Sequence, residues 1–193
     1  MPLCDFPMKT KLIVMLVLLI PAGGAQAQPY LTASTGTAHI EATGYGSQTR
    51  RRDAVAVGYG LTDIIAVEAS YFQIQEARYP LPAGSMQTTI PAAVAVRQKL
   101  SGLALGPVFR WNLLAGLTLY TRQSLAFSKT DLFTEQFNFS SGRSYRNGSY
   151  QPSVGIHFRP MKGLPFGAGL EWIYVSMSQA KITSTVLNVS YGF

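Results

Sequence analysis

Apolar and polar residues alternate along most of this chain, in segments of about ten residues separated by turn residues. In residues 64–72, for example, the odd-numbered positions are Ile, Val, Ala and Tyr, whereas the even-numbered ones include Glu68 and Ser70. A period of two is typical of a β-strand whose two faces meet different surroundings. The pattern predicts strands over residues 30–41, 53–59, 64–72, 102–111, 117–127, 150–159 and 165–175, with an eighth strand ending the chain.

The connections between these strands alternate in length. Short turns cover residues 60–63, 112–116 and 160–164, whereas longer polar segments cover residues 73–98 and 128–149. Pro107 interrupts the fourth strand, and because proline removes a ladder donor we expect a β-bulge there. Short turns at one end and long loops at the other are typical of an up-and-down β-barrel in an outer membrane.

Aromatic residues on the outward face cluster at the two ends of the predicted strands, as expected for two membrane interfaces. Small and polar residues fall on the opposite face, which we expect to fill a narrow lumen. The alternative is a periplasmic β-sandwich or a lipocalin-like barrel, which would bury these aromatics in one core. Near the short turns the aromatics are Tyr59, Phe109, Trp111, Phe158, Phe166 and Phe193, and near the long connections they are Tyr71, Phe127, Tyr150 and Tyr174.

The first 27 residues have the composition of a secretory signal peptide. A short basic segment is followed by an apolar run from Leu12 to Ile20 and by the cleavage motif Ala25-Gln26-Ala27. Met8 is a plausible true start, because the residues before it add nothing to such a leader. The leader would also remove Cys4, the one cysteine, so we expect no disulfide or cysteine-based metal site in the barrel of residues 28–193.

The exported chain would be moderately basic. Removing Lys9, Lys11 and Asp5 with the leader leaves 14 Lys and Arg against 8 Asp and Glu, a net charge of +6. A basic balance can indicate nucleic-acid binding, but export makes that partner improbable. Loops that face anionic lipopolysaccharide explain the charge better, and nothing in the sequence indicates a cofactor.

The chain resembles the membrane domain of OmpA-like outer-membrane proteins at three short motifs. These are Leu119-Tyr120-Thr121-Arg122, Leu170-Glu171-Trp172 and the terminal Val189-Ser190-Tyr191-Gly192-Phe193, in which Gly192 replaces the family's usual arginine. The resemblance implies that Tyr191 and Phe193 form the signal read by the barrel-assembly machinery. The sequence stops at Phe193, so we expect no peptidoglycan-binding domain and no tethering to the cell wall by that route.

Four polar residues should point into the lumen by strand parity: Glu68, Arg122, His157 and Glu171. An arginine between two carboxylates would satisfy all three charges, which otherwise are costly inside a narrow barrel. The resemblance implies that such clusters plug the lumen or gate a leak of small ions. A static plug is the simpler interpretation, and a regulated pore is the alternative.

The chain has two histidines, and neither indicates catalysis by itself. His157 would be a hydrogen-bonding residue of the lumen, whereas His39 lies near the top of the first strand. A lipid A-modifying enzyme of the outer membrane would need a serine and a carboxylate beside the histidine. The sequence has no adjacent His-Ser pair, so we predict that the protein is not an enzyme.

Two segments are candidates for surface contact. Arg50, Arg51 and Arg52 could bind lipopolysaccharide phosphates, or could simply be a solvated loop end. Residues 128–149 mix phenylalanines with Ser, Asn and Arg, and they either form a loop that contacts a surface ligand or extend the fifth and sixth strands.

Together these features predict an all-β, eight-stranded antiparallel transmembrane barrel in the outer membrane of a Gram-negative bacterium, with both termini in the periplasm. The leading hypothesis for function is a structural, surface-interaction or envelope-integrity role with a plugged lumen. A narrow porin-like channel for small solutes is the alternative, and a lipid A-modifying enzyme is the third possibility. No sequence motif indicates which ligand the protein binds, its oligomeric state or whether its lumen conducts ions.

Overall fold

The structure is a computed structural model that describes residues 28–43, 46–81, 94–136, 139–160, 164–177 and 180–192. The predicted leader, residues 1–27, and the terminal Phe193 lie outside the described residues. The signal peptide and the role of Phe193 therefore stay predictions.

Eight β-strands make up the described chain, in agreement with the number predicted from hydrophobic alternation. They are β1 (Gln28–Ala42), β2 (Gly46–Gly60), β3 (Ile65–Leu81), β4 (Val94–Leu114), β5 (Leu117–Gln136), β6 (Phe139–Phe158), β7 (Phe166–Ser176) and β8 (Ala180–Gly192). None of the described residues forms a helix long and apolar enough to cross a membrane.

The strands close into one antiparallel barrel, which confirms the predicted fold class. Each strand pairs with its neighbour in sequence, and β1 pairs with β8 from Tyr30 opposite Gly192 to Ala42 opposite Ala180. Closure leaves no free sheet edge along the seam between the first and the last strand. The antiparallel order of eight strands places Gln28 and Gly192, the first and last residues of the barrel that the structure describes, at the same end.

Four strands, β3 to β6, extend far beyond their predicted ends. Residues 73–98 were predicted to be a connection, but β3 continues to Leu81 and β4 begins at Val94. Residues 128–149 were predicted to be a loop or a strand extension, and the extension is correct, because β5 reaches Gln136 and β6 begins at Phe139. Here the outward face is polar, so a search for outward apolar residues ends the strands too early.

The predicted bulge at Pro107 is wrong. Pro107 lies opposite Val67 of β3, and the register between β4 and β5 is the same on either side of it, with Leu105 opposite Leu125 and Val108 opposite Arg122. The register shifts lie elsewhere, between Ile74 and Ala77 of β3 and between Asn112 and Leu114 of β4. The β4–β5 ladder has no pair at Gly106 and Pro107, so the missing proline donor interrupts the ladder there without shifting the register.

The rim of the barrel is uneven at the end that carries the β1–β2, β3–β4, β5–β6 and β7–β8 connections. Strands β5 and β6 pair along their full length, up to Gln136 opposite Phe139, whereas β6 pairs with β7 only between Ser153 and Phe158. The strands β3 to β6 therefore form a tall wall that extends beyond the β7–β8 side. We call this end the tall end and the opposite one the turn end.

The interior differs between the two ends, which corrects the expectation of a lumen lined throughout by small and polar residues. Towards the tall end, large apolar side chains pack across the barrel together with buried polar residues such as Gln151 and Ser184, whereas the buried carboxylates Glu68 and Glu171 lie towards the turn end. We call the apolar group the upper core. Its larger members are Ile40, Phe72, Ile74, Tyr79, Val96, Leu100, Ile173, Val175, Ile182 and Val186.

Candidate functional site

Arg122 lies at the centre of the lumen and contacts two carboxylates. Its Nη2 atom is 2.8 Å from Glu68 Oε1, and its Nη1 atom is 2.5 Å from Glu171 Oε1. All three residues are buried, at 8%, 3% and 2% exposure in the order Arg122, Glu68 and Glu171. The three side chains come from β5, β3 and β7 and meet because the closed sheet turns their inward faces towards each other. We call them the lumen triad.

Neutral donors complete the triad. The Tyr30 hydroxyl donates to Glu68 Oε2 at 3.0 Å, and the Ser153 hydroxyl donates to Glu171 Oε1 at 2.5 Å. Nearby, the Asn188 side-chain amide donates to the Tyr120 hydroxyl at 2.7 Å. Buried charges are tolerated where opposite charges and hydrogen bonds satisfy them. Strand parity indicated that the charged residues face inward, but it could not identify these donors.

Arg52 is a second lumen cation, one that the sequence analysis assigned to the surface. Its side chain is only 2% exposed, and its guanidinium carbon lies 4.6 Å from the centroid of the Phe72 ring. The described part of the lumen thus holds two buried arginines and two buried carboxylates, with one arginine within the triad and the other beside the upper core.

The predicted surface cluster of three adjacent arginines is consequently wrong in its geometry. The residues lie on a strand, so alternation directs Arg51 outward and both Arg50 and Arg52 inward. Arg51 Nε is 2.9 Å from Asp53 Oδ1, and Arg50 donates to Gln48 Oε1 at 2.5 Å. The three guanidinium groups cannot bind one phosphate together.

His157 lies in the lumen near the turn end, where its Nε2 atom is 2.7 Å from Ser190 Oγ. The histidine is on β6 and the serine on β8, so no local sequence motif could predict the pair. Within the described ranges no carboxylate forms a hydrogen bond or ion pair with His157. The other histidine, His39, is exposed and its Nδ1 atom is 3.2 Å from Thr49 Oγ1. No three His, Cys, Asp or Glu residues of the described chain are grouped as a metal site requires.

A cavity opens at the turn end and has a volume of about 540 Å³. Its inner limit is formed by Glu68, Arg122 and Tyr120, and its walls carry Arg110, Arg159, His157, Asn188 and Ser190. The cavity is thus a vestibule that ends at the lumen triad. We call it the turn-end vestibule.

The outward surface of the tall wall carries a basic patch just beyond the aromatic residues Phe127 and Tyr150. Two carboxylates interrupt it: Glu76 is bonded to two of the arginines, and Asp131 to Lys129. Lys129 lies directly opposite Arg146 in the register of β5 and β6. We call this patch the basic face, and its cations are Arg78, Arg97, Lys99, Lys129 and Arg146.

The basic face was missed because its residues belong to four strands and are scattered in sequence. In the sequence the basic face is visible only as Lys or Arg at alternate positions, in segments that were predicted to lie outside the strands. Tyr191, the described part of the predicted assembly signal, lies on the outward surface at the other end, where its ring contacts Phe166 edge-on at 4.9 Å between centroids.

Comparison with known proteins identifies the fold. No protein-family model and no curated protein sequence matches this chain. Among solved structures, Ail of Yersinia pestis in complex with the heparin analogue sucrose octasulfate is 17% identical, with a TM-score of 0.62 over 87% of this chain and 99% of Ail. Neisserial surface protein A is 14% identical, with a TM-score of 0.61 over 86% of this chain and 99% of that chain.

The N-terminal barrel domain of Pseudomonas aeruginosa OprF is also similar, at 14% identity and a TM-score of 0.52 over 87% of this chain and 100% of the domain. At such identities the likeness is one of architecture. The protein has the fold of the OmpA-like eight-stranded outer-membrane barrels, which agrees with the resemblance noted in the sequence.

Proposed function

We propose that this protein is an integral outer-membrane barrel of a Gram-negative envelope, with a closed lumen and a surface-contact role. The observation that carries this proposal is the outward band of apolar side chains. Leu103, Leu125, Phe127, Leu187 and Val189 are each more than half exposed, at 57% to 65%. Soluble monomers rarely expose a continuous apolar patch above a few hundred Å², whereas a bilayer stabilises it.

The polarity along the outward face supports a membrane boundary near the tall end. On β5 the outward positions change from Leu125 and Phe127 to Lys129 and Asp131 within one alternation step. Aromatic residues at this boundary, including Tyr150 and Tyr174, suit the headgroup region. By the usual asymmetry of such barrels the short turns and both termini face the periplasm, and the tall end faces outward.

The interior supports a structural barrel over a channel. Solute entering from the turn-end vestibule meets the lumen triad, and beyond it the upper core fills the barrel with buried side chains such as Phe72 and Ile182. Water and ions need continuous polar space, and the packed side chains of the upper core interrupt it. The porin-like alternative requires both the lumen triad and the upper core to move out of the path of the solute.

The basic face supports contact with polyanions, in the first place with lipopolysaccharide phosphates at the membrane surface. Five cations against two carboxylates give the patch a net charge of +3, and arginine and lysine are the residues that bind phosphate and sulfate groups. The fold similarity to Ail, which was solved with a heparin analogue, makes a sulfated glycan a second ligand to test. This assignment replaces the arginine cluster of residues 50–52.

The assembly signal belongs to the same proposal. Tyr191 and Phe193 would present the last strand to the barrel-assembly machinery, and Tyr191 is supported as an outward aromatic at the turn end. We do not assign an enzymatic role, because the His157–Ser190 pair has no carboxylate partner among the described residues.

The proposal is tested by the electrophoretic mobility of the outer-membrane fraction, with and without boiling in detergent. A closed barrel stays folded in cold detergent and changes mobility on heating. We expect the protein in that fraction with a heat-dependent shift. Recovery in the soluble periplasmic fraction without a shift would contradict the membrane assignment.

A further inference from the structure

The turn-end vestibule contains two arginines whose charge is not balanced by a contact. Arg110 on β4 and Arg159 just after β6 both line it, and neither guanidinium forms a hydrogen bond or ion pair within the described part of the chain. Two carboxylates also line the vestibule, but Glu68 is bonded to Arg122 and Tyr30, and Asp63 lies exposed at the rim.

The backbone fixes both arginines at the mouth of the barrel. The Arg110 amide donates to the Ile64 carbonyl at 2.7 Å, and the Arg159 amide donates to the Gly116 carbonyl at 2.7 Å. The Arg110 guanidinium is further oriented by the Tyr30 ring, whose centroid is 4.5 Å away. The positions are therefore built into the turns and do not depend on flexible loops.

Both arginines line the same vestibule as the His157 ring. Beyond that ring lie Ser190, at 2.7 Å from His157 Nε2, and the Asn188 side chain, which also line the vestibule. Two like charges held around one half-enclosed space repel each other, and an anion bound between them relieves that repulsion.

We propose that the turn-end vestibule is a binding site for a small anion carrying phosphate or carboxylate oxygens, held between Arg110 and Arg159. Guanidinium groups bind such oxygens with two parallel hydrogen bonds, and the Ser190 hydroxyl and Asn188 amide provide neutral polar contacts deeper in the wall. The volume of about 540 Å³ lies within the usual range of small-ligand sites, roughly 300–1,000 Å³.

This site is distinct from the basic face, which lies at the opposite end of the barrel. Only the compartment from which the anion comes depends on the proposed membrane orientation, since the chemistry of the vestibule is the same in either orientation. Binding measured in detergent, where both ends are accessible, therefore tests the site independently of the proposed function.

The experiment uses protein labelled with ¹⁵N-arginine in detergent micelles. The Nε–H signals of Arg110 and Arg159 are followed while inorganic phosphate, and in a separate series succinate, replaces sodium chloride at constant ionic strength. We expect a saturable shift of both signals with at least one of the two anions. The anion that binds more tightly identifies the head group as phosphate or carboxylate.

Arg110→Gln and Arg159→Gln should each weaken the binding at least about tenfold, because a hydrogen bond to a charged group is lost. Arg110→Lys keeps the charge and should weaken it less. Arg51→Gln, which removes one exposed arginine at the far end of the barrel, is the matched control and should leave the affinity unchanged. The heat-dependent mobility shift checks that each variant is folded.

Two results would overturn the proposal. The first is the absence of a saturable shift with both phosphate and succinate in the folded protein. The second is an equal loss of affinity in Arg51→Gln, which would mean that the anion only screens the general positive charge of the molecule.

Discussion

Arg122 on β5 contacts Glu171 on β7 across the inner face of the intervening strand β6, with 2.5 Å between Nη1 and Oε1. The same guanidinium contacts Glu68 on β3 at 2.8 Å. A single side chain thus links three strands that are not neighbours in the sheet. The contact stabilises the closed cross-section of the barrel in addition to the hydrogen bonds between adjacent strands.

Arg122→Gln should reduce the free energy of unfolding by about 3–5 kcal/mol, because it leaves two buried carboxylates without their counter-charge. Urea unfolding in lipid vesicles, followed by the fluorescence of Trp111 and Trp172, measures the loss. Adding Glu68→Gln and Glu171→Gln to the same protein should recover a large part of it. If the triple variant is no more stable than Arg122→Gln, the destabilisation does not come from unpaired charge.

The unmodified protein should show no steady unit conductance in planar bilayers, and neither should Arg122→Gln. The upper core, with Phe72 and Ile182 across the barrel, contains no residue of the triad, so we expect it to stay packed and to close the lumen when the triad is broken. Single-channel recording checks both proteins against an empty-bilayer control. Discrete, reproducible openings of the unmodified protein would favour the porin-like alternative.

Combined Lys129→Gln and Arg146→Gln should weaken binding to lipopolysaccharide by about 30-fold, since each cation near an anionic membrane surface contributes about 1 kcal/mol. The control with the same change of charge is Arg51→Gln with Lys181→Gln, on other strands. Binding to vesicles with and without lipopolysaccharide, and to immobilised heparin, separates the two polyanions. Equal losses in both double variants would indicate an effect of net charge rather than of the basic face.

The pKa of Asp131 should lie below its ordinary value. The cause is first the hydrogen bond from Lys129, then one from Ser144, which faces Asp131 in the β5–β6 register. Because the pKa of Asp131 is lower in the folded protein than in the unfolded one, its ionised carboxylate stabilises the folded protein above roughly pH 4. This stabilisation is lost as the pH falls through the folded pKa.

Carboxyl-carbon NMR titration of Asp131 measures this pKa, and Lys129→Gln should raise it. An ordinary pKa in the unmodified protein would instead agree with an irregular loop at residues 128–149.

Gly36→Val should prevent closure of the barrel at the seam between β1 and β8. A Cβ atom at Gly36 would overlap the backbone carbonyl of Thr185, which cannot move without displacing β8. The heat-dependent mobility shift should be lost. Gly148→Ala is the control, because a Cβ atom there meets nothing within 4 Å, and a normal shift for Gly36→Val would mean that the seam is looser than this geometry requires.

Several site residues illustrate how far the sequence alone could go. Strand parity correctly directs Glu68, Arg122 and Glu171 to one side of their strands, because successive side chains alternate between faces. Parity gives no height within the barrel, so it could not show that the three meet or that His157 reaches Ser190. The run of three adjacent arginines predicts a loop cluster that includes Arg52, but alternation along β2 separates their side chains.

The ends of β3 to β6 could not be predicted from the sequence, because the surroundings of the outward side chains change along each strand. Within the apolar band the outward residues are hydrophobic, as at Leu103 and Phe127, and this pattern is easy to detect. Beyond it the outward residues become mainly polar. On β3 and β4 the inward residues, such as Ile74 and Leu100, become apolar, so the alternation continues with its faces exchanged. On β5 and β6 the inward residues, such as Ser128 and Asn147, stay polar, so no hydrophobic face remains to indicate a strand.

The sequence by itself therefore determined the eight strands, their antiparallel order and the lumen-facing parity, because these follow from local alternation and turn chemistry. Only the tertiary structure decided that the lumen triad lies towards the turn end and the upper core towards the tall end, that Arg122 joins Glu68 to Glu171, and that five scattered cations form one basic face. These features depend on strand stagger around a closed barrel, which links residues far apart in sequence.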